Sequence, residues 1–264
     1  MPESFRSPAK VARRLKLIGL AIRKIVSWPR FMFNYAFGFV PRSAYQFRNG
    51  ARLKIARGLD HVPIIEVFLR EDYGTVPYDG VVLDLGASVG AFSVYAAASA
   101  RHVAIYAYEP MPDFFRLMQE NIHLNDANGI VTCFNCAVGG NTQPRELLMQ
   151  SGSFFPSLIR NDQADVAQTV HVSCTTLANI LDENALARVN LLKMDCEGAE
   201  YEILYNTPAN YTDRIEQIRM EYHNLDAGDR NADGLLKFLQ SRNYRIEKYT
   251  ANERVSGTIW ARQK

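Results

Sequence analysis

The sequence predicts a doubly wound, Rossmann-like α/β fold with a mostly parallel seven-stranded sheet, preceded by a basic helical arm. From about residue 80 onward, short apolar runs alternate with segments in which apolar residues recur every three or four positions. These patterns are typical of strands and of helices, and their alternation favours a parallel sheet with helices on both faces. No helix separates the last two predicted strands, so we expect an antiparallel C-terminal hairpin at one edge of the sheet.

The composition is that of a globular protein whose charge is unevenly distributed. The chain has 264 residues, of which 47% are hydrophobic and 22% charged, and this excludes a wholly disordered chain. Residues 1–60 contain 13 Lys and Arg but only two acidic residues, whereas residues 61–264 contain 17 basic and 26 acidic residues. A basic arm therefore precedes an acidic body. We place the arm at residues 1–50 and the main domain at residues 51–264.

The arm contains a predicted amphipathic helix. Its apolar residues are spaced by four and three positions and share one helical face: Val11, Leu15, Ile18, Ile22 and Ile25. Basic residues surround this face, and aromatic residues follow it up to residue 39. Over residues 8–40 such a segment suits an anionic membrane surface, where each nearby Lys or Arg contributes about 1 kcal/mol. The alternative is that the helix packs on the body or on a second subunit of a homo-oligomer, and we expect no nucleic-acid partner.

The remaining elements follow in a regular order. A connector over residues 41–57 leads to a helix with Ile64, Phe68 and Leu69 on one face, which ends near residue 74. The predicted strands are residues 81–85, 102–108, 130–138, 170–174, 189–195, 215–222, 244–249 and 255–261. The predicted helices between them are residues 91–100, 113–124, 177–186, 199–206 and 235–242. Residues 139–168 are polar and irregular, with a short hairpin as the regular structure that we consider there.

The cysteines and the N-terminus bear on the cellular compartment. Cys133 and Cys136 form a C-x-x-C pair, but on a predicted strand residues three apart point to opposite faces, and no second pair of zinc ligands is visible. We interpret them as buried small side chains. No disulfide framework, signal peptide or membrane-spanning run is recognisable, so we expect a cytoplasmic protein, peripheral on the inner face of the membrane if the arm binds lipid.

Polar residues follow the first two strands of the body. The segment VVLDLGASVGAFSVYAA contains Asp84, Gly86 and Gly90 as D-x-G-x-x-x-G, and Glu109 ends the next strand. Ligands of such sheets bind beyond the carboxyl ends of the strands, where glycines admit a ligand close to the backbone and a carboxylate accepts ribose hydroxyls. The G-x-G-x-x-G of dinucleotide sites is absent, and Asp84 would repel a pyrophosphate. S-adenosylmethionine, a cationic nucleoside without phosphate, fits better, and the alternative is a glycine turn with an acidic surface.

Several segments resemble a known superfamily. VVLDLGASVGAFSVYAA, YEPMPDFFRLMQENIHLN and FNCAVGG resemble the cofactor-binding half of class I S-adenosylmethionine-dependent methyltransferases. LLKMDCEGAEYEIL, followed by IRMEYHN, resembles the FkbM family of that superfamily, whose hallmark is K-x-D-x-E-G-A-E. The resemblance covers about residues 60–249 and leaves the arm outside it.

The resemblance implies S-adenosylmethionine as cofactor and O-methylation of a hydroxyl on a sugar, a polyketide or a lipid-linked glycan. The predicted cofactor-binding residues are Asp84, Gly86, Ala87, Ser88, Gly90, Phe92, Ser93, Glu109, Pro110, Ala137 and Asp195. The predicted acceptor-binding residues are Ser153, Phe154, Glu197, Glu200, Glu221 and His223. The predicted catalytic residues are Asp195, Glu197 and His223.

Three hypotheses explain the crowded carboxylates of the hallmark segment. In the first, they bind the acceptor, and Asp195, Glu197 or His223 accepts the proton that the alcohol must lose. In the second, Asp195, Glu197 and Glu221 hold Mg²⁺, which would lower the pKa of a bound hydroxyl. In the third, they are structural: Asp195 and Glu197 satisfy backbone amides of the bend, and Lys193 neutralises one of them. Glu200 is expected to cap the helix that starts near Gly198, whose N-terminus favours its charge.

Two other functions stay open at this point. A cofactor-binding scaffold that has lost catalysis would work through its arm as a membrane adaptor, but the intact motif residues argue against it. A nitrogen methyltransferase would often carry an Asn/Asp-Pro-Pro-Tyr motif after the fourth strand, where this chain has MDCEGAE. We therefore expect an O-methyltransferase that acts on a small molecule, a glycan or a glycolipid.

Overall fold

The computed structural model describes residues 8–55, 61–150, 166–225, 228–252 and 256–264. Its strands are β1 (Tyr45–Gln46), β2 (Arg52–Leu53), β3 (Asp79–Leu85), β4 (His102–Tyr108), β5 (Val131–Phe134), β6 (Ala137–Gly139), β7 (Arg145–Gln150), β8 (Val166–Val172), β9 (Cys174–Thr176), β10 (Leu191–Met194), β11 (Gln217–His223), β12 (Tyr244–Asn252) and β13 (Ser256–Gln263). Its helices are α1 (Pro8–Lys24), α2 (Trp28–Phe37), α3 (Ala91–Ser99), α4 (Pro112–Leu124), α5 (Leu177–Glu183), α6 (Glu200–Tyr205), α7 (Ala209–Thr212), α8 (Ala232–Ser241) and a π-helix (Ile64–Arg70).

Seven strands form the central sheet, in the order β12-β13-β11-β10-β3-β4-β5. Strands β3, β4, β5, β10 and β11 run parallel to one another. Strand β13 lies between β11 and β12 and is antiparallel to both, so β12 forms one edge of the sheet. The predicted doubly wound fold is therefore confirmed, together with its C-terminal hairpin.

The two faces of the sheet bury two different apolar clusters. Val82 of β3 and Leu191 of β10 belong to a first cluster, which includes side chains of α3, α4 and the π-helix. Their neighbours Leu83 and Leu192 belong to a second cluster, which includes side chains of α5, α6 and α8. Successive strand residues point to opposite faces, so an unbroken apolar run marks a strand that is covered on both sides.

One predicted strand is divided in two. Residues 130–138 read as a single apolar run, but only β5 joins the central sheet, and β6 pairs with β9 instead. Asn135 lies at the break, where its Nδ2 donates to the carbonyl oxygens of Glu109 and Pro110, each at 2.9 Å. These bonds tie the break to the end of β4. The hairpin considered for residues 139–168 corresponds to the antiparallel pair β7 and β8.

The arm packs on the body, but not through the whole predicted face. Ala21, Ile25 and Phe31 are fully buried in the first cluster, and Lys24 Nζ lies 2.8 Å from a carboxylate oxygen of Glu71. Two other members of the predicted apolar face, Leu15 and Ile22, are exposed instead. No helix among the described residues is long and apolar enough to cross a bilayer.

Candidate active site

The glycine turn after β3 is packed directly against the bend after β10. Gly86 has a φ of +72°, and a Cβ there would lie 1.8 Å from the carbonyl oxygen of Asp195, so the contact requires glycine. The amides of Gly86 and Ala87 both donate to the carbonyl oxygen of Tyr108, at 3.1 and 3.0 Å. The ends of β3, β4 and β10 therefore meet, as at the ligand sites of other parallel sheets.

A buried ion pair joins the two motifs beneath this turn. Lys193 Nζ lies 3.1 Å from Oδ1 of the fully buried Asp84 and donates to the carbonyl oxygen of Gly86 at 2.7 Å. Ser93 Oγ donates to Asp84 Oδ2 at 2.7 Å. Burial has the largest single effect and lowers the pKa of Lys193, but Asp84, Asp195 and Cys196 together raise it above its usual value, so the amine stays protonated. Asp84 and Ser93 thus support the turn from inside the protein.

Glu109 is buried at the end of β4 with both carboxylate oxygens oriented. Oε2 accepts the amide of Ser88 and Oε1 accepts the amide of Met111, each at 2.8 Å. Burial raises the pKa of Glu109 to about 7, against the opposing effect of these two amides. Each oxygen keeps a second lone pair for a ligand. Ser88 Oγ is also buried and has no hydrogen-bond partner among the described residues, which leaves it available to a bound molecule.

The bend after β10 is held by Glu200 rather than by the other two carboxylates. Glu200 is fully buried, and its carboxylate accepts the amide of Cys196 at 2.9 Å and the amide of Gly198 at 3.1 Å. Glu197 lies in the left-handed region, with a φ of +50°, and its side chain is partly exposed. The third hypothesis assigned these amides to Asp195 and Glu197, whereas the structure gives them to Glu200 and leaves Glu197 free of the bend amides.

Asp195, Glu197 and His223 come together at the open side of the bend. One polar atom from each lies within 4.8 Å of the other two. His223 Nε2 is 3.6 Å from Glu197 Oε2, and His223 Nδ1 is 3.5 Å from Oε1 of Glu200. Burial, followed by Asp195, raises the pKa of Glu197 to about 7. Burial alone would lower the pKa of His223, but Glu200 and Glu197 outweigh it and raise that pKa to about 9.

Two residues before the sheet also face this cluster, and sequence reasoning missed both. The hydroxyl of Tyr73 donates to Oδ2 of Asp195 at 2.8 Å. Glu66, on the π-helix, has a pKa raised to about 8 by burial and by the nearby carboxylates of Glu221 and Asp195. Burial and Asp195 likewise raise the pKa of Glu221 to about 7. The one signal in the sequence was a carboxylate inside the apolar run IIEVFLR.

A single cleft connects the glycine turn with the acidic bend. It encloses about 730 Å³, open solvent at its mouth included. The predicted site residues that line it are Gly86, Ser88, Glu109, Pro110, Ala137, Asp195 and Glu197. Residues that line it without having been predicted are Tyr108, Phe114, Cys136, Val138, Leu147, Cys196 and Ala199. These are mostly apolar side chains, which the motifs of the turn and the bend could not identify.

Other predicted site residues lie away from the lining of this cleft. The predicted cofactor-binding residues that support it from behind are Asp84, Ala87, Gly90, Phe92 and Ser93. Glu200, Glu221 and His223 stand behind or beside the acidic bend. Ser153 and Phe154, predicted to bind the acceptor, lie outside the described residues.

The residues present fit S-adenosylmethionine. Glu109 offers two oriented oxygens to a ribose, and Ser88 Oγ is an unused donor. Phe114 and Leu147 supply apolar surface for the adenine ring. Asp195 lines the same cleft, and its carboxylate would suit a cationic sulfur. The cleft can therefore hold a cationic nucleoside beside a cluster of titratable groups.

Comparisons with known proteins show which proteins this chain is similar to. A family model described as the methyltransferase FkbM domain matches residues 84–246, more than half of the chain. The chain is 29% identical over 181 residues to Methyltransferase 1 of Beauveria bassiana, a match that covers 59% of this chain and 70% of that protein. It is 25% identical over 187 residues to the 31-O-demethyl-FK506 methyltransferase FkbM of Streptomyces tacrolimicus, covering 60% and 71%. The solved structure of methyltransferase FkbM from Methylobacillus flagellatus KT has a TM-score of 0.49 at 14% identity, covering 96% of this chain and 60% of that chain.

Proposed function

The chain belongs to the FkbM family of S-adenosylmethionine-dependent methyltransferases, and we propose that it methylates an alcohol oxygen of a sugar, a glycolipid or a related natural product. The observation that supports this most is the single cleft lined by Glu109 together with Asp195 and Glu197. Cofactor and acceptor could therefore bind next to each other in one cleft. The relative named for a 31-O-demethyl compound supports oxygen as the acceptor atom.

On the cofactor side, Glu109 would accept the ribose hydroxyls. Its orientation is fixed by the amides of Ser88 and Met111, so little reorganisation accompanies binding. Gly86 lines the cleft, so its backbone would lie beside the bound ligand. When bound, the cofactor supplies a methyl group attached to a positively charged sulfur, and this sulfur is the leaving group of the transfer.

On the acceptor side, we assign Glu197 as the general base. It lines the cleft, and its pKa of about 7 allows it to take up a proton near neutral pH. Glu197 would take up the hydroxyl proton as the acceptor oxygen becomes methylated; the cofactor would supply the methyl group, and its sulfur would keep the electron pair of the broken carbon–sulfur bond. Protonated His223, 3.6 Å away, stabilises the ionised form of Glu197 before that transfer. Asp195, oriented by Tyr73, would position the acceptor hydroxyl.

Mg²⁺ is the alternative for the same cluster. Asp195, Glu197 and His223 could reach one cation, whereas Glu221, the third ligand expected from the sequence, is outside this group of described residues. Bound there, the ion would lower the pKa of a coordinated hydroxyl. We favour the metal-free route because a metal ion would have to displace the proton that the raised pKa of His223 favours, and because Asp195 Oδ2 already accepts Tyr73. Two results would together favour a metal site over a general base. Calorimetric titration with MgCl₂ would show saturable binding that Glu197→Gln abolishes, and a chelator would abolish the activity.

The experiment that tests the proposal is an acceptor screen with methyl-labelled S-adenosylmethionine over sugars, glycolipids and polyols. Glu197→Gln should lower turnover by about a hundredfold and leave cofactor affinity within about twofold. Glu120→Gln, an exposed carboxylate on α4, is the matched control and should behave as the wild type. Unchanged turnover in Glu197→Gln would show that Glu197 is not the general base. If amines rather than alcohols become labelled, the enzyme is a nitrogen methyltransferase. Cofactor binding without any labelled product would favour the alternative of a scaffold that has lost catalysis.

A further inference from the structure

Helix α1 has two apolar faces, and the body covers only one of them. Leu17, Leu20 and Ala21 pack against the first cluster. Leu15 and Ile22, two helical turns apart, lie on the opposite side of the helix and are 63% and 41% exposed. A helix that served only to pack on its own domain would need one apolar stripe. The second stripe therefore calls for a different partner.

Helix α2 divides its aromatic residues in the same way. Phe31 is fully buried in the first cluster, whereas Phe33, Phe37 and Phe39 are all at least 55% exposed. The three exposed rings contact one another, with centroids 4.7 to 6.3 Å apart. A cluster of exposed aromatic rings is rare on a protein surface that binds nothing. The exposed apolar residues on the outer side of the arm, here called the arm patch, are Leu15, Ile22, Val26, Phe33, Phe37 and Phe39. Tyr35 is not among them, because its ring contacts Phe31 and His61 on the body side.

Cationic side chains flank the apolar stripe of α1. Lys16 and Arg23 project about a quarter turn to one side of it, whereas Arg13 projects from the opposite side of the helix. Lys16 and Arg23 are exposed, and neither forms an ion pair with another described residue. In the whole chain, residues 1–60 carry a net charge of +11 and residues 61–264 a net charge of −9. The arm patch therefore sits in the cationic part of an otherwise acidic protein.

We propose that the arm patch docks on an anionic lipid bilayer. Helix α1 would lie in the plane of the interface, because its 17 residues span about 25 Å, less than the hydrocarbon core, and its outer face is amphipathic. Phe33, Phe37 and Phe39 would enter the headgroup region, where aromatic side chains are favoured. Lys16 and Arg23 would contact the lipid phosphates.

A second copy of the chain fits this surface less well. A symmetric contact would bring the same patch of both copies together and place two sets of Arg and Lys side by side, which like-charge repulsion opposes. A bilayer supplies the opposite charge and an apolar layer at once. The inference does not depend on which acceptor the enzyme methylates.

The test is flotation of the full chain with vesicles of phosphatidylcholine alone or mixed with phosphatidylglycerol. Phe37→Ser combined with Phe39→Ser should weaken binding to the anionic vesicles at least about tenfold, through the lost burial of two rings. Lys16→Ser and Arg23→Ser together should weaken it about fivefold per residue and flatten its dependence on salt. Deleting the arm is a poorer test because it uncovers Ala21, Ile25 and Phe31.

Matched variants on the body provide the controls. Tyr78→Ser with Tyr249→Ser removes two exposed rings, and Arg101→Ser with Lys237→Ser removes two exposed cations. Both should bind vesicles within about twofold of the wild type. Equal binding to neutral and anionic vesicles, no binding at all, or equal loss in the control variants would overturn the proposal. If light scattering shows a dimer that dissociates in the Phe37 and Phe39 variant, the patch binds a second copy of the chain instead.

Discussion

Asp195, Glu197 and Glu200 crowd the bend after β10, and the fold separates their environments. Glu200 turns back under the bend and accepts the amides of Cys196 and Gly198. Glu197 points outward because its backbone is left-handed, and Asp195 lies between the cleft and Tyr73. The sequence shows that three carboxylates are close together. It does not show this division, because the division depends on one backbone angle and on a tyrosine 122 residues earlier.

We expect Glu200→Ala to lower the free energy of unfolding by about 1–3 kcal/mol, because it leaves two amides of the bend without an acceptor. Glu197→Ala should cost no more than about 0.5 kcal/mol, since that carboxylate bonds to no backbone amide of the bend. Urea denaturation of both variants measures the difference. Equal losses would contradict the assignment of Glu200 as the structural member.

The pKa of Glu197 sets the expected pH dependence of turnover. A general base must be ionised, so kcat/KM should rise with pH through about 7 and level off above it. If His223 were the base, the rise would lie near pH 9, where that side chain loses its proton. Glu221→Gln removes a neighbouring group whose pKa is also about 7 and should leave the profile in place. A rise near pH 9, or one that disappears in Glu221→Gln, would contradict the assignment.

At the scale of elements, Lys193 connects β3 with β10. Its amine contacts Asp84 and the carbonyl oxygen of Gly86, so the turn that meets the cofactor and the bend that meets the acceptor are held as one unit. The hallmark lysine therefore acts behind the cleft. Sequence reasoning treated Lys193 only as a neutralising neighbour, because its partner is 109 residues away in the chain.

Lys193→Met should destabilise the protein by about 3–5 kcal/mol and weaken cofactor binding, because it leaves the fully buried Asp84 without its cation. Adding Asp84→Asn removes the unpaired charge and should restore part of the stability. Denaturation of the two single variants and the double variant completes the cycle. Strictly additive losses would show that the pair is not coupled.

The elements were largely predictable, and their exceptions have local causes. Gly86 and Glu109 were predicted to lie at one rim because parallel strands bring their carboxyl ends together. The division of residues 130–138 was not predictable, since it depends on the Asn135 amide reaching back to the end of β4. Glu66 was missed because the π-helix changes which residues share a face from those expected of an α-helix.

For the whole molecule, the sequence predicted a basic arm and an acidic α/β body. It did not predict which apolar residues of the arm are buried against the body and which are exposed to solvent. An apolar stripe indicates that a helix will be covered, without saying by what. Ala21 and Phe31 pack on the body, while Leu15 and Phe37 remain exposed. The apolar wall of the cleft, including Phe114 and Leu147, also emerged only at this scale, because it joins segments that no single motif contains.

The central claim is that the cleft binds S-adenosylmethionine through Glu109 and keeps its proton-accepting chemistry at Glu197. Calorimetric titration of the wild type, Glu109→Ala and Glu197→Ala with S-adenosylmethionine and S-adenosylhomocysteine tests it most directly. We predict micromolar binding by the wild type and by Glu197→Ala, and binding at least about tenfold weaker in a folded Glu109→Ala, which loses charge-assisted hydrogen bonds to the ribose. Equal affinity in all three proteins, or no binding by a folded wild type, would contradict the account.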